Sequence, residues 1–358
     1  MGIQENISLK ELTTLKIGGK ARFFCSVSNV EELARAIVFA ADQAVPVTIL
    51  GGGSNVLITE GTINRLFIKI EIYGIEWTDE SESVLAIAGG GESWDKLVSE
   101  AVQRNLWGIE NLSGIPGTVG AAPVQNIGAY GTEIQSAVEW VEVFDTQTGA
   151  TDRLSNAKCK FSYRNSVFKE LVGKKLIITR VALRLQKSGT ANLEYKDLKE
   201  IFNSQFSIFN EEEKKEKIRN LPVRDIRKAV LEIRGRKFPD LKTTGTAGSF
   251  FKNPIISAGK FSELKKKYPN LPGFPLSDVT GHRSPVSVKV SLAWILDALC
   301  GMKGFQKGDV ALFERQPIVL VNTGRASAEE VGAFAQEVSA CVKEKTGIDI
   351  EWEVQKIS

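Results

Sequence analysis

The stretch from Ser113 to Gly131 leaves this chain the least choice of structure. It reads Ser113-Gly114-Ile115-Pro116-Gly117-Thr118-Val119-Gly120, then, after four more residues, Gln125-Asn126-Ile127-Gly128-Ala129-Tyr130-Gly131. Glycines at 114, 117, 120, 128 and 131 and prolines at 116 and 123 interrupt both helical and strand periodicity, and no charged residue is present to solvate a long exposed loop. Ordering such a segment costs conformational entropy unless it wraps something, and its small side chains let backbone approach a flat or phosphorylated ligand. A second glycine loop, Gly51-Gly52-Gly53-Ser54-Asn55, follows the apolar run VTIL. Successive glycines let backbone N–H groups converge on an anion. Position 56 is Val, so the loop is no GxGxxG fingerprint, and no Gly-Lys-Ser/Thr follows to make a P-loop. Alone it reads as a tight turn between strands. The two loops together imply an extended ligand such as a dinucleotide.

Length and composition bound the class. The 358 residues suggest two or three domains, and 42% hydrophobic with 25% charged residues is a globular balance, not a disordered one. Lys and Arg total 46 against 43 Asp and Glu, a net +3 without the clustering that nucleic acid requires, so no nucleic-acid partner is expected. No apolar run approaches a membrane span, and MGIQENISLK has neither the form of a signal peptide nor the Ser/Thr of a myristoylation site. A soluble, cytoplasmic, monomeric protein without a membrane partner is the expectation. Cys25, Cys159, Cys300 and Cys341 show no CxxC spacing and read as four small buried hydrophobes in a reducing compartment. His282, the single histidine, lies in GHRSP with no neighbouring nucleophile, so neither a metal site nor Ser-His or Cys-His chemistry is expected.

Strands alternate with amphipathic helices in an α+β pattern. Ser28 and Glu31 read as a capping box before the stripe Val30, Leu33, Ala34, Ile37, Ala40. Gly89-Gly90-Gly91 separates the apolar run VLAIA from a helix through Leu97, Ala101 and Val102, and strands dominate 138–185, with Val181, Leu183 and Leu185 alternating against Arg184. EEEKKEK at 211–217 reads as a solvated helix face near a domain boundary, followed by the helix LPVRDIRKAVLEIR and a loop over 237–248. Ser327 and Glu330 form another capping box, Gly347 ends its helix, and IDIEWEV alternates as a terminal strand.

Three further residues bear on chemistry. Arg164 stands among aromatics in FSYRNSVFK, where a guanidinium can clamp a carboxylate, although by itself it reads as a surface arginine. Ser249 in GTAGSFFKNP has no histidine to activate it; it can donate a proton to a strongly basic carbanion, or be a satisfied turn serine. Glu353, on the polar side of the terminal alternation, reads alone as a solvated carboxylate.

In order along the chain, GGGSNVL, SGIPGTVGAAPVQNIGAYG, FSYRNSVFK, LEYKDL, GTAGSFFKNP and the terminal Glu-Val closely resemble the UDP-N-acetylenolpyruvoylglucosamine reductase family, over about residues 12–354. LEYKDL, with Tyr195, is similar to its longer, type I branch. The resemblance implies an α+β, vanillyl-alcohol-oxidase/PCMH-like fold: an FAD-binding region over 12–188 in two subdomains split near 70, a connecting segment over 189–219, and a substrate-binding C-terminal domain over 220–358 ending in the strand that carries Glu353. It implies non-covalent FAD held by Gly51, Gly52, Gly53, Ser54, Asn55, Gly114, Ile115, Pro116, Gly117, Gly120, Gln125, Asn126, Gly128 and Ala129, with NADPH as hydride donor and no metal. Substrate contacts fall by resemblance on Tyr130, Tyr195, Lys237, Asn253 and Lys289.

Its catalytic positions map onto Arg164, Ser249 and Glu353. The implied reaction, in peptidoglycan precursor synthesis, passes a hydride from NADPH through FAD to C3 of an enolpyruvyl ether. Arg164 would stabilise the enolate, Ser249 would protonate C2, and Glu353 would act as a neutral acid, because a carboxylate there would oppose the developing charge. Where family members can carry Arg two positions after the terminal Glu, this chain has Gln355, with Lys356 beside it. A flavin oxidase of this fold often tethers its flavin through His or Cys, yet the glycine loops contain neither; a non-catalytic flavin or nucleotide-sugar binder would be expected to lose Arg164, Ser249 and Glu353.

Overall fold

Apolar stripes find their partners in two compact bodies. In this computed structural model, which describes residues 1–276 and 287–358, one unit comprises Met1–Ile7, Ala21–Gly53 and Asn64–Gly235, and the other Ser8–Lys20, Ser54–Ile63 and Arg236–Ser358. These boundaries differ from those expected at 188/189 and 219/220. The helix Val223–Lys237 turns Ile226, Ala229, Val230 and Ile233 into a core of the first unit with Tyr130, Leu198 and Phe202, so 189–219 is no mere connector. The helix Lys196–Gln205 supplies Leu198 and Phe202, whereas Glu211–Arg219 buries nothing, as its charges require. His282 lies outside the described residues.

In the first unit, Thr151–Ser155, Val138–Asp145, Leu176–Gln186, Ser83–Gly89 and Ile75–Asp79 form, in that order, an antiparallel sheet. Val181, Leu183 and Leu185 are fully buried, while Arg184 reaches out to Glu139 at 2.9 Å and to Glu80. The helix Trp94–Gln103 packs Trp94, Leu97, Val98 and Ala101 into the same core. A second sheet takes the order Gln4–Ser8, Lys20–Val27, Thr62–Ile70, Val47–Leu50, its last pair parallel. The helix Val30–Asp42 contributes Leu33, Ala36 and Ala40 to the core beside it. Its cap is one residue later than the sequence suggests: Asn29 Oδ1 accepts from Glu32 N at 2.8 Å, and Glu32 in turn accepts from Ser28 N at 2.8 Å. An Asn cap serves as well as Ser, and Glu31–Glu32 permits either register.

The second unit is built on Gly245–Ser249, Val319–Asn322, Val310–Leu312 and Gln306–Lys307, whose core is completed by Val331, Phe334, Ala335, Val338 and Val342 of the helix Ala328–Thr346. The Ser327/Glu330 capping box and the left-handed Gly347 stop occur as expected. The expected loop over 237–248 gives way to a strand at Gly245. The terminal alternation survives in burial, with Ile348 and Val354 buried and Asp349 and Glu351 exposed, but the chain does not run as one strand. Trp352 packs against Phe250, ring centroids 5.0 Å apart; the backbone bends at Glu353, and the strand falls at Gln355–Ile357, parallel to Val56–Ile58. Glu353 therefore precedes the terminal strand. Cys25 and Cys159 are buried, and burial raises both thiols to about 11; Cys300 and Cys341 are only half-buried, contrary to expectation. Burial and the Cys341 side chain, to which it is hydrogen-bonded, push the Cys300 thiol up to about 12.

Candidate functional site

The glycine loops of the first unit lie backbone to backbone. A Cβ at Gly52 would stand 2.8 Å from Gly117 Cα, and one at Gly51 would stand 2.7 Å from Thr118 Oγ1. On its other side the 117–120 segment is laced to the third glycine loop: Trp94 N donates to Gly117 O at 3.1 Å, Val119 N to Glu92 O at 2.8 Å and Gly120 N to Gly90 O at 2.9 Å. These glycines thus serve first to let three loops stack. Position 114 is held separately, its N–H donating to Asp95 Oδ1 at 2.5 Å with φ +71.

The 124–130 run is fastened to the FSYRNS turn by three bonds. Ser166 Oγ donates to Val124 O at 2.6 Å, Asn126 Nδ2 to Ser162 O at 3.0 Å and Arg164 Nη2 to Gly128 O at 2.8 Å. Ser162 and Asn165 exchange both backbone hydrogen bonds, leaving Tyr163 and Arg164 at the tip of a tight turn, with Arg164 at φ +54. Such backbone in a non-glycine residue is sustained only when the surroundings over-determine it. Lys169 Nζ, donating to Arg164 O at 2.9 Å, helps to do so. Asn126 spends its amide on protein: it also donates to Glu133 at 2.8 Å and accepts from Gln135 N at 3.1 Å, so it shapes the loop through its side chain.

Tyr130, 6% exposed, meets Tyr195 edge-on at 5.0 Å, which unites two predicted substrate contacts. Behind them stands a network that sequence reasoning missed. The Tyr130 hydroxyl is hydrogen-bonded to Arg234, whose charge also acts on Asp95; Asp95 takes a bidentate pair from Arg227 at 2.6 and 2.9 Å. Burial works to raise the Asp95 carboxyl, but hydrogen bonds from Arg227 and Gly114, together with the Arg227 and Arg234 charges, outweigh it and hold the group below its ordinary value. Arg227 and Arg234 are two helical turns apart, a legible spacing; their carboxylate partner far back in sequence is not.

In the second unit, Ser249 ends the strand Gly245–Ser249 after an irregularity at which Gly248 takes φ +74. Glu353 N donates to Phe250 O at 2.8 Å, bringing the terminal glutamate one residue from Ser249 across the Phe251–Trp352 bridge. Asn55 brackets Glu353 from the other side: its Nδ2 donates to Glu353 O at 3.2 Å and its carbonyl accepts from Gln355 N at 3.0 Å. Asn253 Oδ1 accepts from Leu292 N at 3.0 Å and so caps a helix start, while Lys289 sits mid-strand in Ser287–Val290, its Nζ 5.9 Å from the Phe274 ring centroid. Lys237 ends the helix Val223–Lys237, half-buried, and Gln355 and Lys356 are exposed. The predicted residues therefore form two sets: Gly51–Gly53, Gly114–Tyr130, Arg164 and Tyr195 in one unit, and Ser54, Asn55, Lys237, Ser249, Asn253, Lys289 and Glu353 in the other.

Close-packed glycine loops that would be filled by any Cβ, on an α+β frame without a Rossmann fingerprint, fit a dinucleotide held by loop backbone. Together with a match of residues 21–155 to a family described as "FAD binding domain", this defines a flavin-binding oxidoreductase of the PCMH-like class. Residues 240–357 match "UDP-N-acetylenolpyruvoylglucosamine reductase, C-terminal domain". Relatives bearing the reductase name include one from Chromobacterium violaceum, 36% identical over 97% of this chain and 96% of the relative, and one from Flavobacterium johnsoniae, 37% identical over all of both. The solved structure of the Thermus caldophilus reductase (MurB) superimposes with a TM-score of 0.65 at 25% identity, covering 100% of this chain and 98% of that one. The chain belongs to the UDP-N-acetylenolpyruvoylglucosamine reductase family, an FAD-dependent enzyme family. Among the described residues no helix is long and apolar enough to cross a membrane, and no group of three His, Cys, Asp or Glu side chains gathers that could hold a metal ion.

Proposed function

We propose that this protein reduces the enolpyruvyl ether of UDP-N-acetylglucosamine to UDP-N-acetylmuramate with NADPH, as a cytoplasmic monomer supplying peptidoglycan precursors. The observation that carries this reading is the full-length likeness to reductases of that name, at 36–37% identity, combined with retention of Arg164, Ser249 and Glu353. Residues 12–188 would serve FAD and the C-terminal part the substrate. Gly51–Asn55, Gly114–Gly117, Gly120, Gln125, Asn126, Gly128 and Ala129 would hold FAD, which when bound accepts a hydride from NADPH and supplies one to the substrate double bond.

The chain's own groups do the rest. Arg164, anchored to the Gly128 carbonyl, offers a fixed cation to the substrate carboxylate as charge accumulates there. Ser249 Oγ donates the proton that C2 takes up, and Glu353 hydrogen-bonds at the same end of the substrate. Tyr130, Tyr195, Lys237, Asn253 and Lys289 orient the nucleotide sugar. Because the proton step belongs only to the second half-reaction, Ser249→Ala should leave anaerobic bleaching of the flavin by NADPH within about twofold of wild type. It should slow return of the colour on adding the enolpyruvyl sugar by at least about a hundredfold, the scale of a positioned proton donor. Equal loss in both half-reactions would refute the proton-donor role, and a wild-type flavin whose colour the enolpyruvyl sugar does not restore would refute the reductase.

A further inference from the structure

We propose that Asn111 is a positioning residue for the substrate: its carboxamide holds in register the two backbone segments that carry Tyr130 and Tyr195. The inference rests on the reading above, which gives those tyrosines to substrate contact. Asn111 is fully buried in the short turn Glu110–Leu112, itself pinned by Trp94 Nε1 donating to Leu112 O at 2.9 Å and Ser113 Oγ donating to Glu110 O at 2.6 Å. From this fixed base the two amide protons of Nδ2 go to different segments, one to Tyr130 O at 2.7 Å and the other to Asn192 O at 3.0 Å. Both partners are carbonyls, so the amide can be oriented only one way.

The opposite atom shows what the arrangement costs. Asn111 Oδ1 is buried without a hydrogen-bond partner. An orphaned acceptor is unfavourable, and natural proteins keep few of them. Here it accompanies the pairing of two carbonyls that are otherwise distant in sequence. Ser or Thr has a single proton to offer, Asp would set acceptor against acceptor, and an aliphatic residue would leave both carbonyls unmet.

What is held is strained and functional in placement. Tyr130 sits at φ +50, in the left-handed region that a tyrosine occupies only under constraint. Asn192 closes the clasp from the other side: its Nδ2 donates to Gly131 O at 3.1 Å, and its Oδ1 accepts from Glu194 N at 3.1 Å. The carbonyls of 130, 131 and 192 are thus locked together three residues before Tyr195, whose ring meets Tyr130 at 83°. The clasp thus adds a backbone tie between the two segments to the ring contact and the packing that the tyrosines already share.

The test uses the holoenzyme carrying Asn111→Ala, Asn192→Ala or both. Each lost bond corresponds to about a two- to tenfold change. Asn111→Ala should therefore raise KM for the enolpyruvyl UDP-sugar by about four- to a hundredfold, and Asn192→Ala, which is half-exposed, endangers folding less and removes only one bond between the two segments, that to Gly131 O, by about two- to tenfold. FAD content and the rate of flavin reduction by NADPH should stay within about twofold. The double variant should fall short of the product of the singles, and amide hydrogen exchange over 187–198 should quicken in each. If Asn111→Ala fails to fold, Asn111→Ser, which keeps one donor of the two, decides by the same readouts. Faster exchange with an unchanged KM would overturn the proposal by making the clasp merely structural, and unchanged exchange would overturn it outright. Equal loss in the NADPH half-reaction would do the same. A wild-type enzyme unable to pass electrons to the enolpyruvyl sugar would be the failure of the functional reading, visible before any variant is made, and the positioning role would fall with it.

Discussion

Substituting Gly52 by alanine tests whether the stacked glycine loops form the cofactor cradle. The added methyl would stand 2.8 Å from Gly117 Cα and 3.3 Å from Gly117 C. Carbon atoms pack comfortably at about 3.5–4.0 Å, so the two loops must part by about 0.7–1.2 Å. The 117–120 backbone cannot retreat freely, because its opposite edge is bonded to Glu92, Gly90 and Trp94. Overpacking of this kind costs about 1–3 kcal/mol, which for a unit of this size lowers Tm by roughly 2–12 °C. If FAD needs both loops at their native spacing, the same strain weakens its binding by about fivefold to a hundredfold. Flavin should be stripped from both proteins, FAD titrated back against the quenching of its fluorescence, and the melting of each apo-protein recorded. Gly52→Ala that binds FAD as wild type does, while melting lower, would show that the loops are tightly packed but hold no cofactor. Wild-type melting would refute the packing argument itself.

Two further substitutions follow from the same structure. Gly235 lies exposed in the helix Val223–Lys237, where an added methyl would meet nothing within 4 Å and φ is not left-handed; Gly235→Ala should therefore stabilise the protein by about 0.4–1 kcal/mol, read as a rise in Tm. Asp95→Asn removes a carboxylate whose folded value lies below its unfolded one, so the wild-type advantage is present above the usual carboxylate range and fades as pH falls through that lower value. At neutral pH the advantage should be about 1 kcal/mol given the partial exposure of the pair, and denaturant melts that differ equally at about pH 7 and about pH 3 would refute the assignment.

Periodicity carried much of this molecule in the sequence. The helix Ala328–Thr346 announces itself by Ser327, Glu330, its apolar stripe and Gly347, all of them local signals that the structure keeps. The glycine loops too are legible as loops, because no regular element tolerates that composition. What each glycine does is less so: Gly52 is required by the backbone, and Gly51 by the Thr118 side chain, of a segment more than sixty residues away, a constraint with no local trace. The same holds for Asn126 and Asn111, ordinary asparagines until their carbonyl partners are known, and for the Asp95–Arg227–Arg234 network. At the end of the chain, alternation over Ile348–Val354 gave the right burial and the wrong strand, since hydrophobicity records which side faces inward but not where the backbone pairs. Unit boundaries were missed for a related reason: Ser8–Lys20 and Ser54–Ile63 are too short to show a core of their own.

The crossing of the chain between its two units has a consequence for synthesis. Asn55 and Glu353, 298 positions apart, are bonded partners, and Val56–Ile58 pairs with Gln355–Ile357. At about 5–20 residues per second a ribosome needs roughly 15–60 s to travel from one to the other. For all that time Val56–Ile58 has its contacts to the early chain but lacks the strand it pairs with, and the second unit cannot close until Gln355–Ile357 has left the exit tunnel. Final assembly of the proposed proton-donor end is for that reason a late event, open to chaperones and proteases while the first unit already has its whole sequence in hand.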